Sequence, residues 1–333
     1  MTGIIGNGSW ATALAKMLTD NGVPVQWWMR SDESAAHLRQ FAHNKDYLSS
    51  VVFNPTLIHP TTDLKILIQD CDIILVVVPS AYLQDLLEAL PKDVFKGKKI
   101  ISAVKGILPK CNQLLNDFLA EKFNFPQEDY VAITGPCHAE EVSQERLSYL
   151  TFSGLDSELT SQLSAMFSTP YIKTGNNHDL WGAQYAAVLK NIYAIGAGMA
   201  HGMGYGDNFL SVYITNCYRE LFTFSLQQFN KLHPGTEQPD FLTSPYLGDL
   251  LVTCYSLHSR NRAFGTLLGK GYTIQAATTE MRMVAEGYFA VRGMHKIAAD
   301  LQINMPLVGE IKAALWDGKP LKASFGVIEN LLS

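Results

Sequence analysis

Short apolar runs and helically spaced segments alternate along the first half of the chain. The run at 72–78 consists mostly of Ile, Leu and Val, which is typical of a strand buried on both faces of a parallel sheet. Apolar residues at 11–18 fall on one helix face, and a second helical stretch lies near 111–123. Strands that alternate with helices predict an α/β domain with a doubly wound sheet. The predicted strands lie at 4–5, 23–29, 72–78, 99–104, 130–133, 148–152 and 171–174.

The pattern changes near residue 180. Extended β-branched runs disappear, and apolar residues keep helical spacing almost to the end, apart from a loose, Pro- and Gly-containing stretch at 230–245. A length of 333 residues also agrees with two domains. We therefore expect a first domain at 1–180 and a mostly α-helical C-terminal domain at 181–333. A cleft between two such domains is a common place for a small-molecule site.

Composition and charge exclude several classes of protein. A net charge of −5 argues against nucleic acid as a partner, and an anionic substrate would need local cations. The five cysteines are scattered, which favours reduced thiols over a disulfide framework or a metal site. No leader-like segment precedes the first strand, and the apolar run at 185–200 is shorter than the roughly 20 residues that span a bilayer. We expect a soluble, cytoplasmic protein without a metal or a membrane span.

A glycine-rich turn joins the first predicted strand to the first helix. Its sequence, Gly6-Asn7-Gly8-Ser9-Trp10-Ala11, matches G-x-G-x-x-G/A at a strand-to-helix junction. The first glycine permits the tight turn, and the second lets a pyrophosphate approach the backbone at the helix N-terminus. A structural turn without a ligand is the alternative, but the surrounding strands and helix favour a dinucleotide. The first domain is thus predicted to be a Rossmann-type domain that binds NAD or NADP.

The end of the second strand bears on the choice of dinucleotide. An acidic residue there binds a free ribose hydroxyl, whereas an arginine accommodates a 2′-phosphate. The chain has Arg30-Ser31-Asp32 at this point, with Arg30 nearer to the strand. NADP(H) is therefore plausible because of Arg30, while Asp32 leaves NAD(H) open.

Two lysines lie where a charge is unfavourable. Lys105 follows a strand that is predicted to be buried, and Lys190 lies within the apolar helical run 186–195. Such a lysine extends to solvent, pairs with a carboxylate or works in a site. Burial lowers the pKa of a lysine towards neutrality, which suits a proton donor or acceptor at a carbonyl centre. A structural ion pair explains the same pattern, so the residues alone leave both interpretations open.

A third group of candidate residues follows in the second half. Asp249 lies among apolar residues and could pair with a lysine ammonium group. Ser259-Arg260-Asn261 places a hydroxyl, a guanidinium and an amide close together, which suits phosphate binding. Taken alone, an Arg-Asn pair is usually only a pair of solvated side chains on the protein surface.

Together these segments resemble bacterial-type NAD(P)-dependent glycerol-3-phosphate dehydrogenases. The resemblance extends over about residues 3–320, and the joint order and spacing of the segments is more specific than any one of them. The matching segments are 6–14, 76–80, 105–106, 135–136, 189–198, 248–250, 259–262 and 284–288.

The resemblance implies a role for each candidate residue. Lys190 would be the proton donor and acceptor at C2 of the substrate, with Lys105 close to both substrate and nicotinamide. Asp249 and Thr253 would orient the ammonium group of Lys190. The residues expected at the substrate are Lys105, Gly135, Cys137, Lys190, Asp249, Ser259, Arg260 and Asn261. Those expected at the dinucleotide are Gly6, Gly8, Ser9, Trp10, Arg30, Lys105, Ala139, Arg260, Val284 and Glu286.

Some positions depart from the family pattern. Cys137 replaces the usual Ser or Thr and is a poorer hydrogen-bond donor, while Leu210 and Asn216 stand where many relatives carry arginines. The stretch 230–245 is longer than the usual loop. These departures concern oligomer contacts and local helix packing more than chemistry, and a homodimer is possible.

The implied reaction is the reversible reduction of dihydroxyacetone phosphate by NAD(P)H to sn-glycerol 3-phosphate, which feeds glycerophospholipid synthesis. Another two-domain reductase that acts on a different hydroxy acid or phospho-sugar is the enzymatic alternative. A non-catalytic dinucleotide sensor is a third hypothesis, against which the presence of both Lys190 and Asp249 argues.

Overall fold

A computed structural model describes residues 1–281 and 285–333. Contacts divide the chain into two compact units, of which the sheet unit comprises 1–78, 82–104 and 115–180. The helical unit comprises 79–81, 105–114 and 181–333. Val284, which the sequence analysis assigned to the dinucleotide, lies outside the described residues.

Within the described residues, the sheet unit is built on one eight-stranded sheet of order β3-β2-β1-β4-β5-β6-β7-β8. Neighbouring strands are parallel except β6 and β7, which pair antiparallel. This doubly wound α/β arrangement confirms the predicted fold class. The strands are β1 (Thr2–Ile5), β2 (Val25–Trp28), β3 (Ile58–Thr61), β4 (Ile73–Val76), β5 (Lys99–Ser102), β6 (Tyr130–Thr134), β7 (Ser148–Gly154) and β8 (Ile172–Asn177).

Polar side chains begin several helices of the sheet unit. Ser31, Asp63 and Asp156 precede α2, α3 and α7, and each side chain accepts hydrogen bonds from main-chain N–H groups of the first turn. The helices are α1 (Ser9–Asp20), α2 (Asp32–Phe41), α3 (Leu64–Asp70), α4 (Ser80–Glu88), α5 (Leu115–Phe123), α6 (Ala139–Ser143) and α7 (Ser157–Ala165). A short 3₁₀ turn at Gln127–Asp129 precedes β6.

Two elements of the sheet unit differ from the sequence prediction. Strand β3 was not predicted because its sequence, Ile58-His59-Pro60-Thr61, is short and contains a proline. Proline lacks the N–H group that a central strand needs, and β3 accordingly lies at the edge of the sheet. The helix predicted at 111–123 begins only at Leu115, because Asn112 has a positive φ of 57° and the preceding residues form turns.

The helical unit contains no strand among its described residues, as the loss of extended runs predicted. The loose stretch is shorter than predicted, since α9 continues to Leu232 and a π-helical turn covers Ser244–Gly248. The helices are α8 (Leu180–Gly202), α9 (Asp207–Leu232), α10 (Asp249–Tyr255), α11 (Arg260–Gly269), α12 (Ile274–Met281), α13 (Glu286–Asp300), α14 (Pro306–Trp316) and α15 (Leu321–Leu331).

Glycines let two helices, α11 and α13, approach helix α8 closely. A Cβ added to Gly265 of α11 would lie 2.0 Å from the main-chain oxygen of Ile195, and one on Gly287 of α13 would lie 2.5 Å from that of Asn191. On α8 itself, a Cβ at Gly198 would lie 2.0 Å from the main-chain oxygen of Arg262. Contacts this short exclude any side chain, so the backbones of α8, α11 and α13 meet directly around Asn191.

The remaining sequence expectations concern thiols, metals and membranes. None of the five cysteines, all of which lie in the described ranges, forms a disulfide bond. In 1–281 and 285–333, no group of three or more His, Cys, Asp or Glu side chains could hold a metal ion. None of the helices in these ranges combines the length and the apolar character needed to cross a bilayer.

Candidate active site

The glycine turn between β1 and α1 combines a tight backbone with open space. Gly6 has a φ of +125°, and a Cβ there would lie 2.7 Å from the main-chain oxygen of Val77, so only glycine suits the position. Within residues 1–281 and 285–333, a Cβ at Gly8 would meet no atom within 4 Å. Ser9 and Trp10 then begin α1. The turn therefore leaves a cradle at Gly8 into which the pyrophosphate of a dinucleotide fits.

Other predicted dinucleotide positions of the sheet unit lie near this turn in the fold. Arg30 is exposed just beyond β2, the parallel neighbour of β1. The carboxylate of Asp32 accepts a hydrogen bond of 2.7 Å from the Thr62 hydroxyl. Ala139 begins α6, which packs against α1.

Two predicted substrate positions also belong to the sheet unit. Gly135, directly after β6, has a φ of +112°, and a Cβ there would lie 2.8 Å from the main-chain oxygen of Tyr149. This position therefore requires glycine. Cys137 is buried two residues later and forms no disulfide with the other described residues.

A buried ion pair lies at the centre of the helical unit. Lys190 of α8 donates a hydrogen bond to Oδ1 of Asp249, the first residue of α10, and the side chains are only 6% and 1% exposed. Among the described residues, no donor reaches the second carboxylate oxygen, Oδ2. A buried acceptor without a partner is unfavourable unless a ligand or water satisfies it. This orphaned oxygen is the feature expected where a polar substrate binds.

Burial and neighbouring charges shift the pKa of Lys190. Loss of hydration is the largest effect and lowers the pKa, the negative charge of Asp249 opposes it, and the positive charge of Lys105 adds to the lowering; together they bring the pKa from 10.5 to about 8. At neutral pH the side chain is therefore mostly protonated, yet it is a stronger acid than an exposed lysine. That balance suits a group that donates a proton and later takes it back.

Three more charged residues interact electrostatically at this site. Burial raises the pKa of the partly buried Glu286 carboxyl, while Arg260, Lys105 and Lys190 act in the opposite direction. Three cations and two carboxylates thus lie close enough to influence one another. The excess of positive charge favours a bound anion.

A chain of buried amides fixes the position of Lys105. The Asn191 amide donates to the main-chain oxygen of Lys105 over 3.3 Å, and its own oxygen accepts a 3.0 Å hydrogen bond from Asn261. The Asn261 oxygen in turn accepts from the main-chain N–H of Gly287 over 3.0 Å. Sequence reasoning did not single out Asn191 as a site residue. The available signal was a second polar residue, directly after Lys190, in an apolar helix.

The segment that carries Lys105 is also held by a close backbone approach. A Cβ at Gly106 would lie 2.1 Å from the Ser80 hydroxyl oxygen at the start of α4. The same added Cβ would lie 3.7 Å from a carboxylate oxygen of Glu286. Gly106 therefore lets Lys105 lie beside the other charged residues without a steric clash.

The predicted phosphate-binding residues lie at the N-terminus of α11. Ser259 caps this helix, because its hydroxyl accepts from the N–H of Arg262 over 3.3 Å. Asn261 is already engaged with Asn191 and Gly287, so the Arg260 guanidinium and the helix N-terminus are the better anion-binding groups. Thr253 donates to the main-chain oxygen of Asp249 over 2.6 Å and so supports the α10 backbone.

The predicted site residues therefore form two groups, one in each unit. The structure places Lys105, Lys190, Asp249, Thr253, Ser259, Arg260, Asn261 and Glu286 in the helical unit. It places Gly6, Gly8, Ser9, Trp10, Arg30, Gly135, Cys137 and Ala139 in the sheet unit.

Two family models match almost the whole chain. The model described as NAD-dependent glycerol-3-phosphate dehydrogenase N-terminus matches residues 2–160. The model for the C-terminus of the same family matches residues 179–325. Both groups of site residues fall within the matched ranges.

Curated bacterial proteins named glycerol-3-phosphate dehydrogenase (NAD(P)+) resemble the chain along its length. The protein of Oceanobacillus iheyensis is 32% identical over 330 residues, which cover 99% of this chain and 93% of that protein. The protein of Pseudomonas fluorescens is 33% identical over 329 residues with the same coverage.

Solved structures show the same architecture. The crystal structure of glycerol-3-phosphate dehydrogenase from Coxiella burnetii matches with a TM-score of 0.89 and 26% identity over 98% of both chains. Glycerol-3-phosphate dehydrogenase from Saccharomyces cerevisiae matches with a TM-score of 0.77 at 22% identity, over 98% of this chain and 99% of that one. D-mandelate dehydrogenase matches with a TM-score of 0.59 at 11% identity, over 98% of this chain and 99% of that one, which shows a likeness of fold alone.

Proposed function

The chain belongs to the family of NAD-dependent glycerol-3-phosphate dehydrogenases, and we infer that it interconverts dihydroxyacetone phosphate and sn-glycerol 3-phosphate with NAD(P)H. The observation that carries this function is the buried Lys190–Asp249 pair beside further cations. A ketone that becomes an alcohol needs a proton donor at its oxygen, and a phosphorylated substrate needs cations. The helical unit supplies both.

Lys190 is the group that handles the proton. In the direction of reduction its ammonium group donates a proton to the carbonyl oxygen, and in the direction of oxidation the neutral amine takes a proton from the hydroxyl. A pKa of about 8 makes both forms accessible near neutral pH. The bound dinucleotide supplies the hydride in one direction and accepts it in the other.

The other charged residues position the substrate and stabilise its developing charge. Asp249 orients Lys190 through Oδ1, and its Oδ2, which meets no donor in the described part of the chain, is available to a substrate hydroxyl. The positive charge of Lys105 stabilises the developing alkoxide. Arg260 at the N-terminus of α11 binds the phosphate of the substrate.

The dinucleotide binds to the glycine turn of the sheet unit. The cradle at Gly8 and the first turn of α1 support this assignment, because they offer main-chain N–H groups to a pyrophosphate. Arg30 lies at the strand end where a 2′-phosphate is accommodated.

Three expectations stay predictions: a cytoplasmic location, a homodimer, and no binding of nucleic acid. The use of sn-glycerol 3-phosphate for glycerophospholipid synthesis is a fourth, supported by the chemistry of this product as a lipid backbone. Cell fractionation tests the location, sedimentation tests the homodimer, and a binding titration tests nucleic acid. The lipid content of a strain depleted of the protein tests the role in glycerophospholipid synthesis.

One assay tests the proposed reaction. Oxidation of NADH and of NADPH is followed by absorbance with dihydroxyacetone phosphate as the substrate, and the reverse reaction is followed with sn-glycerol 3-phosphate. We expect turnover in both directions. Turnover with a keto acid or with another phospho-sugar, and none with dihydroxyacetone phosphate, would favour the alternative reductase, and NADH binding without turnover would favour the sensor.

A further inference from the structure

Three consecutive carbonyl groups of the glycine turn accept hydrogen bonds from side chains. The oxygen of Gly6 accepts from the indole N–H of Trp27 in β2 over 2.6 Å. The oxygen of Asn7 accepts from the amide of Asn44 over 3.0 Å, and the oxygen of Gly8 accepts from the hydroxyl of Thr12 over 3.1 Å. We refer to Trp27, Asn44 and Thr12 as the turn-holding residues. Each comes from a different part of the sheet unit.

Asn44 connects this set of hydrogen bonds. It lies in the segment after α2, is only 5% exposed, and donates a second hydrogen bond to the Thr12 hydroxyl over 2.8 Å. Its oxygen accepts from the main-chain N–H groups of Asp46 and Tyr47 over 3.1 and 3.3 Å. The two N–H groups of the side-chain amide thus both donate hydrogen bonds, and its oxygen accepts two. These bonds hold the amide group in one orientation.

The direction of a carbonyl fixes the direction of the next N–H group. In a trans peptide the C=O and N–H bonds point to opposite sides, and the described residues contain no cis peptide bond. A carbonyl held towards the interior at Asn7 therefore directs the N–H of Gly8 the other way. Glycine on both sides of Asn7 would otherwise permit the peptide to rotate at low energy.

We propose that Asn44, together with Trp27 and Thr12, holds the peptide planes of the turn so that its N–H groups face the dinucleotide pyrophosphate before the ligand arrives. The turn-holding residues are positioning residues that act through the backbone. A binding site held in its bound conformation loses less entropy when the ligand binds, so its affinity is higher. This inference rests on the dinucleotide assignment made above.

The most direct test removes the N–H donors of Asn44 and keeps its acceptor oxygen. Asn44→Asp has nearly the same shape and still accepts from Asp46 and Tyr47, but it cannot donate to Asn7 or Thr12. Asn44→Ser removes the same donors without adding a charge. We expect both variants to raise the Kd for NADH about tenfold or more, because two hydrogen bonds that orient the turn are lost.

The affinity is measured by fluorescence titration with NADH and with ADP-ribose, which carries the pyrophosphate without nicotinamide. Steady-state kinetics then compares KM for NADH with kcat. If Asn44 is a positioning residue, its substitution raises KM for NADH much more than it lowers kcat. The substitution then also weakens the binding of ADP-ribose to a similar extent. A general loss of structure would lower kcat and the unfolding temperature together.

Two further variants complete the test. Asn54→Asp is the matched control, since the Asn54 oxygen accepts from Thr56 on an exposed part of the same segment. The affinity of this variant for NADH should stay within about twofold of that of the wild type. Thr12→Val removes the hydroxyl that donates to Gly8 and accepts from Asn44, but it keeps the hydrogen bond from Asn44 to Asn7, so it should weaken the binding of NADH by a smaller factor. It remains informative if Asn44→Asp folds poorly.

The outcomes separate this inference from the proposed function. Wild-type affinity in Asn44→Ser and Thr12→Val would overturn the inference and leave the function intact. A wild-type chain that binds no dinucleotide would overturn both. Weaker binding of NADH and ADP-ribose in the Asn44 variants, with little change in Asn54→Asp, supports the turn-holding role.

Discussion

In the sheet unit the groups assigned to the ligand are main-chain N–H groups and one exposed arginine, whereas in the helical unit they are buried or partly buried charged side chains. The glycine turn is oriented by neutral donors such as Trp27 and Asn44. Lys190 and Asp249 instead face each other in nearly complete burial, with further charges close by. Binding in the sheet unit thus depends mainly on the orientation of main-chain groups, and binding in the helical unit depends mainly on the charges of buried side chains.

This difference predicts how each unit responds to substitution. Main-chain groups remain after any substitution, so a change near the turn alters their orientation and therefore the affinity. Buried charges depend on one another, because removal of one shifts the pKa of the next or leaves it without a partner. Substitutions in the helical unit should therefore change the rate and its pH dependence, and those in the turn should change binding.

The largest effect is expected for Lys190→Ala. Without the proton donor, kcat for reduction of dihydroxyacetone phosphate should fall about 10³-fold, within the range typical of general acid catalysis. The Kd for NADH, measured by fluorescence titration, should stay within about twofold because the glycine turn is unchanged. Lys270→Ala, at an exposed lysine after α11, is the matched control. Near-normal turnover in Lys190→Ala would exclude it as the proton donor.

The next effect concerns the pH profile and has opposite signs for two substitutions. Protonated Lys190 donates in reduction, so the rate falls as the pH rises through its pKa of about 8. Asp249→Asn removes the negative charge that raises this pKa, and the falling limb should move to lower pH by about one unit or more. Lys105→Met removes the positive charge that lowers it, and the limb should move to higher pH.

The kcat of both variants is measured from pH 5 to 10 with saturating substrates. The position of the limb is informative even where the maximal rate is lower. Limbs that stay in place, or that move in the same direction, would contradict a mutual electrostatic effect on Lys190.

Not every buried charge of the helical unit serves chemistry, as Glu220 of α9 shows. Its carboxylate accepts hydrogen bonds from Leu307 and Val308 at the start of α14, over 2.8 and 3.0 Å, and from the Tyr193 hydroxyl over 3.0 Å. Glu220→Gln turns an amide group towards one of these donors, and we expect a loss of about 1–3 kcal/mol in the free energy of unfolding.

Urea unfolding measures that loss. Glu329→Gln is the control, since Glu329 makes its hydrogen bond to Tyr205 at the surface, and its effect should be below about 0.5 kcal/mol. The pH limb assigned to Lys190 should stay in place in both variants. A displaced limb in Glu220→Gln would mean that this carboxylate belongs to the catalytic electrostatics after all.

The sequence predicted the fold where burial dictates residue type. Strands β4 and β5 were predictable because a strand covered on both faces must be apolar, whereas the edge strand β3 tolerates Pro60 and so loses its signal. The same logic selected Lys190 as a candidate, since a charge in an apolar helix needs an explanation.

Other residues of the candidate sites could not be predicted, because their partners are distant in sequence. Asn44 contacts Asn7, 37 residues earlier, and Asn191 contacts Lys105, 86 residues earlier. An asparagine in a loop or helix is common, and nothing local distinguishes one that holds a distant backbone group. Its role follows only from the folded contacts.

The smallest effect is expected for the one charge that the sheet unit assigns to the ligand. Arg30 is exposed after β2, and the nearby carboxylate of Asp32 is engaged by Thr62, so the guanidinium is the better partner for a ribose substituent. Arg30→Ala should raise KM for NADPH about tenfold and KM for NADH less than about twofold, because only NADPH carries the 2′-phosphate.

This effect should also depend on salt, unlike that of Lys190→Ala. An exposed charge pair is screened by ions, so the NADPH preference conferred by Arg30 should shrink as the ionic strength rises from about 0.05 to 0.5 M. Arg146→Ala, at another exposed arginine of the sheet unit, is the matched control. Equal losses for NADH and NADPH in Arg30→Ala would place Arg30 away from the 2′-phosphate. A salt-dependent loss of affinity for NADPH alone would instead show that Arg30 acts as an exposed charge that ions screen. Lys190, in contrast, acts through the loss of its hydration.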